Sequence, residues 1–247
     1  MITQQKNIDL NCDMGEGIGN DEAIMPNITS ANIACGFHAG NTDSIKKTID
    51  LALRQGVKIG AHVSYRDKEN FGRKEMQLPT EKIYALVMDQ LIKINLIAKQ
   101  TGATLHHVKP HGALYNMAAK NSLIAQTIAT AVKDFDETLV LYGLSSSYLI
   151  GEAKAIGLAT ASEVFADRTY GDDGNLTPRS QPNALIEDEV KCMQQVMQMI
   201  NEGTVTTTSG KIIPIVAETI CIHSDGKYAL QFVKKIKEAL LSIEANK

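Results

Sequence analysis

Short apolar runs alternate along the whole chain with longer stretches in which apolar residues recur every three or four positions. The short runs, at residues 7–13, 30–35, 57–63, 104–109, 138–144, 159–165 and 218–223, predict seven strands. The longer stretches predict helices at residues 41–55, 79–101, 121–134, 146–156, 184–201 and 226–244. Their ends are punctuated as helix ends should be. Asn41 can cap the first, with Asp43 in its opening turn and Gly56 to stop it. Pro79 and Glu81 open the second, which shows Ile83, Val87, Leu91, Ile94 and Ile97 on one face and ends at Gly102. Strand and helix in regular alternation predict a parallel sheet. Residues 204–214 read as a small hairpin. Residues 64–78 and 166–182 break the rhythm, and long polar loops in a compact domain usually carry function. No linker composition interrupts the chain, so one domain over residues 1–247 is expected.

A length of 247 residues suits a single α/β barrel. With 44% hydrophobic and 21% charged residues the chain is not a disordered one. The net charge of −3, without a dense Lys/Arg block, removes the electrostatic reason to expect nucleic acid. No apolar run approaches the roughly 20 residues that cross a bilayer, so no membrane partner is expected. Residues 1–7 lack the apolar core of a secretory signal. Cys12, Cys35, Cys192 and Cys221 lie far apart with no C-x-x-C, and read as reduced thiols in a cytoplasmic protein.

Reactive groups of parallel α/β folds collect at the carboxyl ends of strands. Uncommon polar residues fall there in this chain. Asp9, Asn11 and Asp13 alternate with Ile8, Leu10 and Cys12, which puts the polar set on one face. Later strands end in His38, His62, His107-Val108-Lys109-Pro110-His111, Glu163 to Arg168, and His223-Ser224-Asp225. A single strand-end histidine, His106 or His223 for instance, is more often a hydrogen-bonded core residue than a catalyst. Asp225 before Gly226 can equally cap the last helix. The conjunction argues for an active site, because buried carboxylates and imidazoles are costly without partners.

Three motifs carry less. Gly15-Glu16-Gly17-Ile18-Gly19-Asn20 resembles a phosphate loop but lacks its last glycine, and Glu16, Asp21 and Glu22 would repel an anion; a tight turn is the better reading. Ser209-Gly210-Lys211 is not a P-loop. His107 and His111 have metal-ligand spacing for a helix, but in a strand they stand about 13 Å apart unless Pro110-His111-Gly112 bends the chain.

Read together, Asp9-Leu10-Asn11-Cys12-Asp13-Met14-Gly15-Glu16, the segment from Ala31 to Gly40, the segment from His107 to Asn116, and Glu163-Val164-Phe165-Ala166-Asp167-Arg168 resemble the LamB/YcsF family. Gly60-Ala61-His62, Phe71-Gly72-Arg73, Arg179-Ser180-Gln181-Pro182 and Cys221-Ile222-His223 extend the likeness to both long loops and the last strand. Asn41, Val63, Asn183 and Ser224 depart from the family's usual residues without removing a His, Lys or Arg of the motifs. The resemblance implies an irregular seven-stranded parallel β/α barrel, similar to the glycoside hydrolase and deacetylase folds. It also implies opening of 5-oxoproline (pyroglutamate) to L-glutamate by a 5-oxoprolinase, with ATP as co-substrate and with 5-oxoprolinase subunits B and C as partners. No nucleotide signature is visible, so ATP would bind on the partners or at an interface.

The catalytic candidates are Asp13, His38, His62, Lys109, His111 and Glu163; the substrate-binding candidates are Asn11, Arg73, Arg168, Arg179 and His223. Lys109 with Arg168 or Arg179 would hold anions. His38 or His62, poised by Asp13, would activate water, and Glu163 or His111 would protonate the leaving nitrogen. Two alternatives remain open. One is a metal-dependent deacetylase of N-acetyl sugars, with Asp13, His38 and His62 as ligands of a divalent ion. The other is a non-catalytic subunit that delivers 5-oxoproline.

Overall fold

The seven apolar runs form seven parallel strands that close on one another. A computed structural model describes residues 8–245; Asn7, the first residue of the first predicted strand, and the rest of the amino-terminal segment read for a signal lie outside the described residues. The barrel strands are β1 (Asp9–Met14), β2 (Ser30–Ala34), β3 (Lys58–Val63), β4 (Leu105–Pro110), β5 (Val140–Leu144), β6 (Thr160–Phe165) and β9 (Thr219–His223). They are ordered β1-β2-β3-β4-β5-β6-β9, and β9 pairs with both β6 and β1 to complete the circle. Between β6 and β9, the short strands β7 (Thr204–Thr206) and β8 (Ile212–Pro214) form the predicted antiparallel hairpin. Ser209-Gly210-Lys211 lies in its turn, where Thr207 N–H donates to Lys211 C=O at 2.8 Å.

The helices are α1 (Asp21–Ile24), α2 (Thr42–Gln55), α3 (Thr80–Gln100), α4 (Gly112–Lys120), α5 (Ser122–Phe135), α6 (Tyr148–Ala155), α7 (Glu189–Glu202) and α8 (Ala229–Ala245). Asn41 caps α2 through a reciprocal pair, its side chain accepting from Ser44 N–H while Ser44 Oγ accepts from Asn41 N–H. Asn121 caps α5 in the same sense, accepting from Leu123 and Ile124 N–H. Three helices differ from expectation, the first being the four-residue α1, too short to show an apolar period in the sequence. α7 starts at Glu189 rather than Ala184, because Ala184 C=O and Ile186 N–H are held in the preceding loop by Arg168 and by Asp167 C=O. α4 is not foreseen, since a helix that opens on a glycine at φ 57° looks like a break in sequence. None of the described helices is long and apolar enough to cross a membrane.

Two-residue alternation sorts the side chains of the barrel. Leu10, Cys12, Met14, Ile33, Ala61, Val63, Val108, Ile220 and Ile222 are buried in the apolar core shared with the helices. The other face is polar and almost completely sealed: Asn11, Asp13, Ser30, Asn32, His62, His107, Lys109, Glu163 and Thr219 are all buried. One tight approach shows how full this space is. A Cβ on Gly60 would stand 2.1 Å from His107 Nε2, so only glycine fits opposite that ring. The apolar layer between sheet and helices supplies the stabilisation, and the interior must satisfy its polar groups with one another.

Candidate active site

The polar interior is stacked in layers that rise toward the carboxyl mouth. At the bottom the Asp9 carboxylate accepts hydrogen bonds from Ser30 Oγ (2.6 Å), Thr29 Oγ1 (2.7 Å), Thr219 Oγ1 (2.7 Å) and the Tyr142 hydroxyl (3.2 Å). Burial pushes this carboxyl up, but the hydroxyls of Ser30, Thr219 and Thr29 outweigh it and hold it below its ordinary 3.8. His107 is at this level as well, its ring stacked on Tyr142 and its Nε2 donating to Asn32 Oδ1 at 2.8 Å. It therefore shares no site with His111.

The next layer is an ionic lattice. Asn32 Nδ2 donates to Asn11 Oδ1 and Asp13 Oδ1 at 2.7 and 2.8 Å, and Asn11 Nδ2 donates to Glu163 Oε1 at 3.0 Å. The Lys109 ammonium sits between Glu163 Oε1 (2.8 Å), Asp13 Oδ1 (2.9 Å), Cys221 Sγ (3.0 Å) and Asn11 Oδ1 (3.3 Å). Burial pushes Lys109 down and Asp13 up. The attraction between them, with Glu163 adding to the lysine and His62 to the aspartate, wins on both sides, so Lys109 is held well above and Asp13 well below its ordinary range. Burial keeps Cys221 a thiol, pushed well above its usual value. The three ammonium protons are already directed at protein acceptors.

The mouth carries three histidines and a carboxylate. His62 Nε2 lies 3.2 Å from Asp13 Oδ2 and 2.9 Å from His111 Nδ1. Glu16 Oε1 lies 3.2 Å from His38 Nε2, 3.6 Å from His111 Nδ1 and 4.0 Å from His62 Nε2. Burial and the Asp13 charge raise Glu16 to about 7. Burial and His62 lower His38 to about 2, and burial with its two histidine neighbours takes His111 well below its ordinary value. Gly72 makes this packing possible, since a Cβ there would meet His38 Cβ at 2.9 Å and His111 at 3.0 Å.

The facing wall comes from β6, β9 and the long loop after β6. His223 Nδ1 is 3.0 Å from Asp167 Oδ2, and His223 N–H donates to the same oxygen at 3.1 Å. Burial pushes the Asp167 carboxyl up, but the charge and hydrogen bonds of His223 hold it below its usual value. Arg73 pairs with Asp225 at 2.7 Å across the rim, so Asp225 serves as a bridge between loops. Arg168 is buried, donating from Nε to Ala184 C=O (3.1 Å) and from NH2 to Thr177 C=O (2.6 Å). Arg179 is half-buried on the same loop, with Arg168 as its charged neighbour.

These walls enclose a cavity of about 330 Å³ lined by Asp13, His62, Lys109, His111, Arg73, Arg168, Arg179 and His223 among others. The loop of residues 166–182 thus covers the mouth and brings both of its arginines to it. Of the other predicted residues, Asn11, His38 and Glu163 stand behind the cavity wall and touch the residues that line it. Three residues escape sequence reasoning. Glu16 projects from the glycine loop, whose Gly15, Gly17 and Gly19 do adopt the positive φ of tight turns, into the histidine cluster. Its signal is an acid placed just beyond a strand's carboxyl end. Asp167 is legible only once β6 and β9 are known to be neighbours. Tyr115 also lines the cavity, and its hydroxyl and Glu163 Oε2 are buried without a hydrogen-bond partner of normal geometry.

Fold and site together define a parallel β/α-barrel protein with its candidate active site at the carboxyl mouth. The chain belongs to the LamB/YcsF family, which it matches over residues 8–246. It is 51% identical over 240 residues to the A subunit of 5-oxoprolinase from Brevibacillus brevis, covering 95% of this chain and 94% of that one. To the corresponding 5-oxoprolinase polypeptide of Tolumonas auensis, likewise designated A, it is 52% identical over 239 residues, 95% of each chain. The crystal structure of the lactam utilization protein from Thermus thermophilus superposes with a TM-score of 0.88 at 38% identity, covering 97% of this chain and 98% of that one. A deacetylase solved with its substrate, T48, shares the barrel at a TM-score of 0.53 and 14% identity, covering 97% of this chain and 85% of that one. That likeness is one of fold.

Proposed function

We propose that this chain is the A subunit of an ATP-dependent 5-oxoprolinase, opening 5-oxoproline to L-glutamate together with subunits B and C. The observation that carries the reading is the identity of 51% and 52% to two proteins of that name over 95% of the chain. The cavity suits the assignment, being small, polar and closed by an arginine-bearing loop.

A five-membered lactam resists water because its amide is resonance-stabilised. Transfer of the ATP γ-phosphoryl group to the lactam oxygen, releasing ADP, makes the ring carbon electrophilic. Water then adds to that carbon, the ring nitrogen departs with a proton, and a second water releases phosphate from the resulting acyl phosphate. Within this scheme Arg179 holds the substrate carboxylate. His223 presents Nε2 to the cavity because Asp167 occupies Nδ1; it takes the proton of the attacking water and returns it to the ring nitrogen. Asp13, kept ionised by Lys109, faces the same space and orients the water. Phosphoryl transfer from ATP falls to the partner subunits or to an interface with them.

The test is an assay of 5-oxoproline-dependent ADP and glutamate release. The chain alone should be silent, and addition of B and C should switch on both products together. ATP-independent acetate release from N-acetyl sugars, or full turnover by the isolated chain, would replace this reading.

A further inference from the structure

We infer that Glu16, His38, His62 and His111 form a binding site for one first-row divalent cation of the zinc type, with Asp13 at its edge. The first argument is the direction of the lone pairs. His62 Nδ1 lies 2.9 Å from Lys109 C=O and His111 Nε2 lies 2.9 Å from Phe71 C=O. A carbonyl only accepts, so both nitrogens carry their protons, and in the neutral ring, the form that binds a metal, the opposite nitrogen carries the lone pair. His38 Nδ1 lies 2.8 Å from Ser64 Oγ, whose own hydrogen is donated to Tyr65 C=O, so His38 too is protonated on the outer side. Three imidazoles are thus each locked by an outer partner in the tautomer that aims a lone pair inward, as metal-bound histidines are.

The second argument is what those lone pairs meet. His62 Nε2 and His111 Nδ1 face each other at 2.9 Å, with Glu16 Oε1 and Asp13 Oδ2 beside them. Four acceptor groups converging without a cation would repel one another inside a buried site. The third argument is spacing. Ligands around a tetrahedral ion with bonds of about 2.0–2.1 Å stand roughly 3.4 Å apart. The distances among Glu16, His38, His62 and His111 given above run from 2.9 to 4.0 Å, and one donor atom from each of the four lies within 4.8 Å of all the others. His62, His111 and Glu16 already converge. His38 is stacked flat on His111, with centroids 3.8 Å apart, and joins them after a tilt of its ring. A nitrogen-rich set with one carboxylate selects zinc or a neighbouring transition metal over magnesium or calcium. Such an ion would supply Lewis-acid polarisation at the cavity wall. The site differs from an Asp13, His38 and His62 triad in that Glu16 and His111 are principal ligands.

The inference does not depend on which amide is cleaved, so it is tested by binding rather than turnover. The full chain is stripped with a chelator and titrated with zinc, with uptake measured by elemental analysis, and with cobalt, followed by its visible absorption. About one ion per chain is expected, together with a rise in Tm on zinc addition. Glu16→Gln and His111→Gln should each weaken zinc by about a hundredfold or more, whereas His106→Gln, at the other end of the strand, should bind as the native chain does. The folded state of each variant is checked by circular dichroism. Native protein that takes up no zinc at micromolar concentration would show that the cluster holds a proton only and would overturn the inference. Unchanged zinc affinity in both folded ligand variants would overturn it equally.

Discussion

Lys109 Nζ lies 2.8 Å from Glu163 Oε1, with both side chains sealed from water in the middle of the barrel. This contact makes the lysine a counter-ion for the interior, since its other neighbours, Asp13, Asn11 and Cys221, use up its remaining donors. Removing one partner of a buried ion pair strands the other charge, which costs roughly 3–5 kcal/mol. Lys109→Met should lose about that much stability in urea unfolding. Lys109→Met combined with Glu163→Gln should recover part of it, because a neutral amide needs no counter-ion. A single variant as stable as the native chain would refute the lattice.

Asp9 offers a pH test in the layer below. Its folded carboxyl is held below the ordinary 3.8 by Ser30, Thr219 and Thr29. A depressed acid contributes stability that is present above its unfolded pKa and is lost as pH falls through the folded one. The stability difference between the native chain and Asp9→Asn should therefore be constant from about pH 5 upward and should shrink below about pH 4. Urea midpoints measured from pH 3 to 7 would show this. A difference that grows on acidification would reverse the assigned direction.

The strands are legible in the sequence because a parallel barrel buries both faces of its sheet, and its polar inward residues stand out against apolar outward ones. Asp9, Asn11 and Asp13 beside Leu10, Cys12 and Met14 are the plainest case. Depth along the barrel axis is harder to read. His107 lies within β4 and His111 just past its carboxyl end, yet one binds Asn32 inside the barrel and the other His62 at the mouth. Glu16 reads as a turn acid because its neighbours in sequence are glycines; its neighbours in space come from β2, β3 and β4 and the loops after them. Asp167 and His223 are far apart in the chain, and the pairing of Phe165 with Cys221 is what sets them side by side.

The two lid arginines should separate in kinetics. Arg168 is spent on the loop itself, through Thr177 and Ala184 carbonyls. Arg179 lines the cavity and, on the proposed role, holds the substrate carboxylate in ground and transition states alike. Arg179→Ala in the assembled enzyme should raise KM for 5-oxoproline about tenfold or more with a smaller change in kcat, the pattern of lost uniform binding. Arg168→Ala should instead lower the Tm. An unchanged KM in Arg179→Ala would remove Arg179 from the substrate.

His223 and Asp167 give the sharpest test of the proposed chemistry. His223 lines the cavity and its Nδ1 lies 3.0 Å from a buried carboxylate, which on the proposed role fixes the tautomer and reserves Nε2 for the substrate. His223→Gln can still donate to Asp167 but cannot relay a proton, so binding should survive while kcat falls about 10²–10⁴-fold. Asp167→Asn acts through the histidine, because an amide in place of the carboxylate no longer fixes the proton on Nδ1. It should lower kcat as well and also move the acidic limb of the pH–rate profile, a change that a purely structural contact would not produce. The measurement is single-turnover glutamate release by the assembly across pH 5 to 9. If His223→Gln turns over normally, the proton relay lies elsewhere in the mouth and the role given to His223 is wrong.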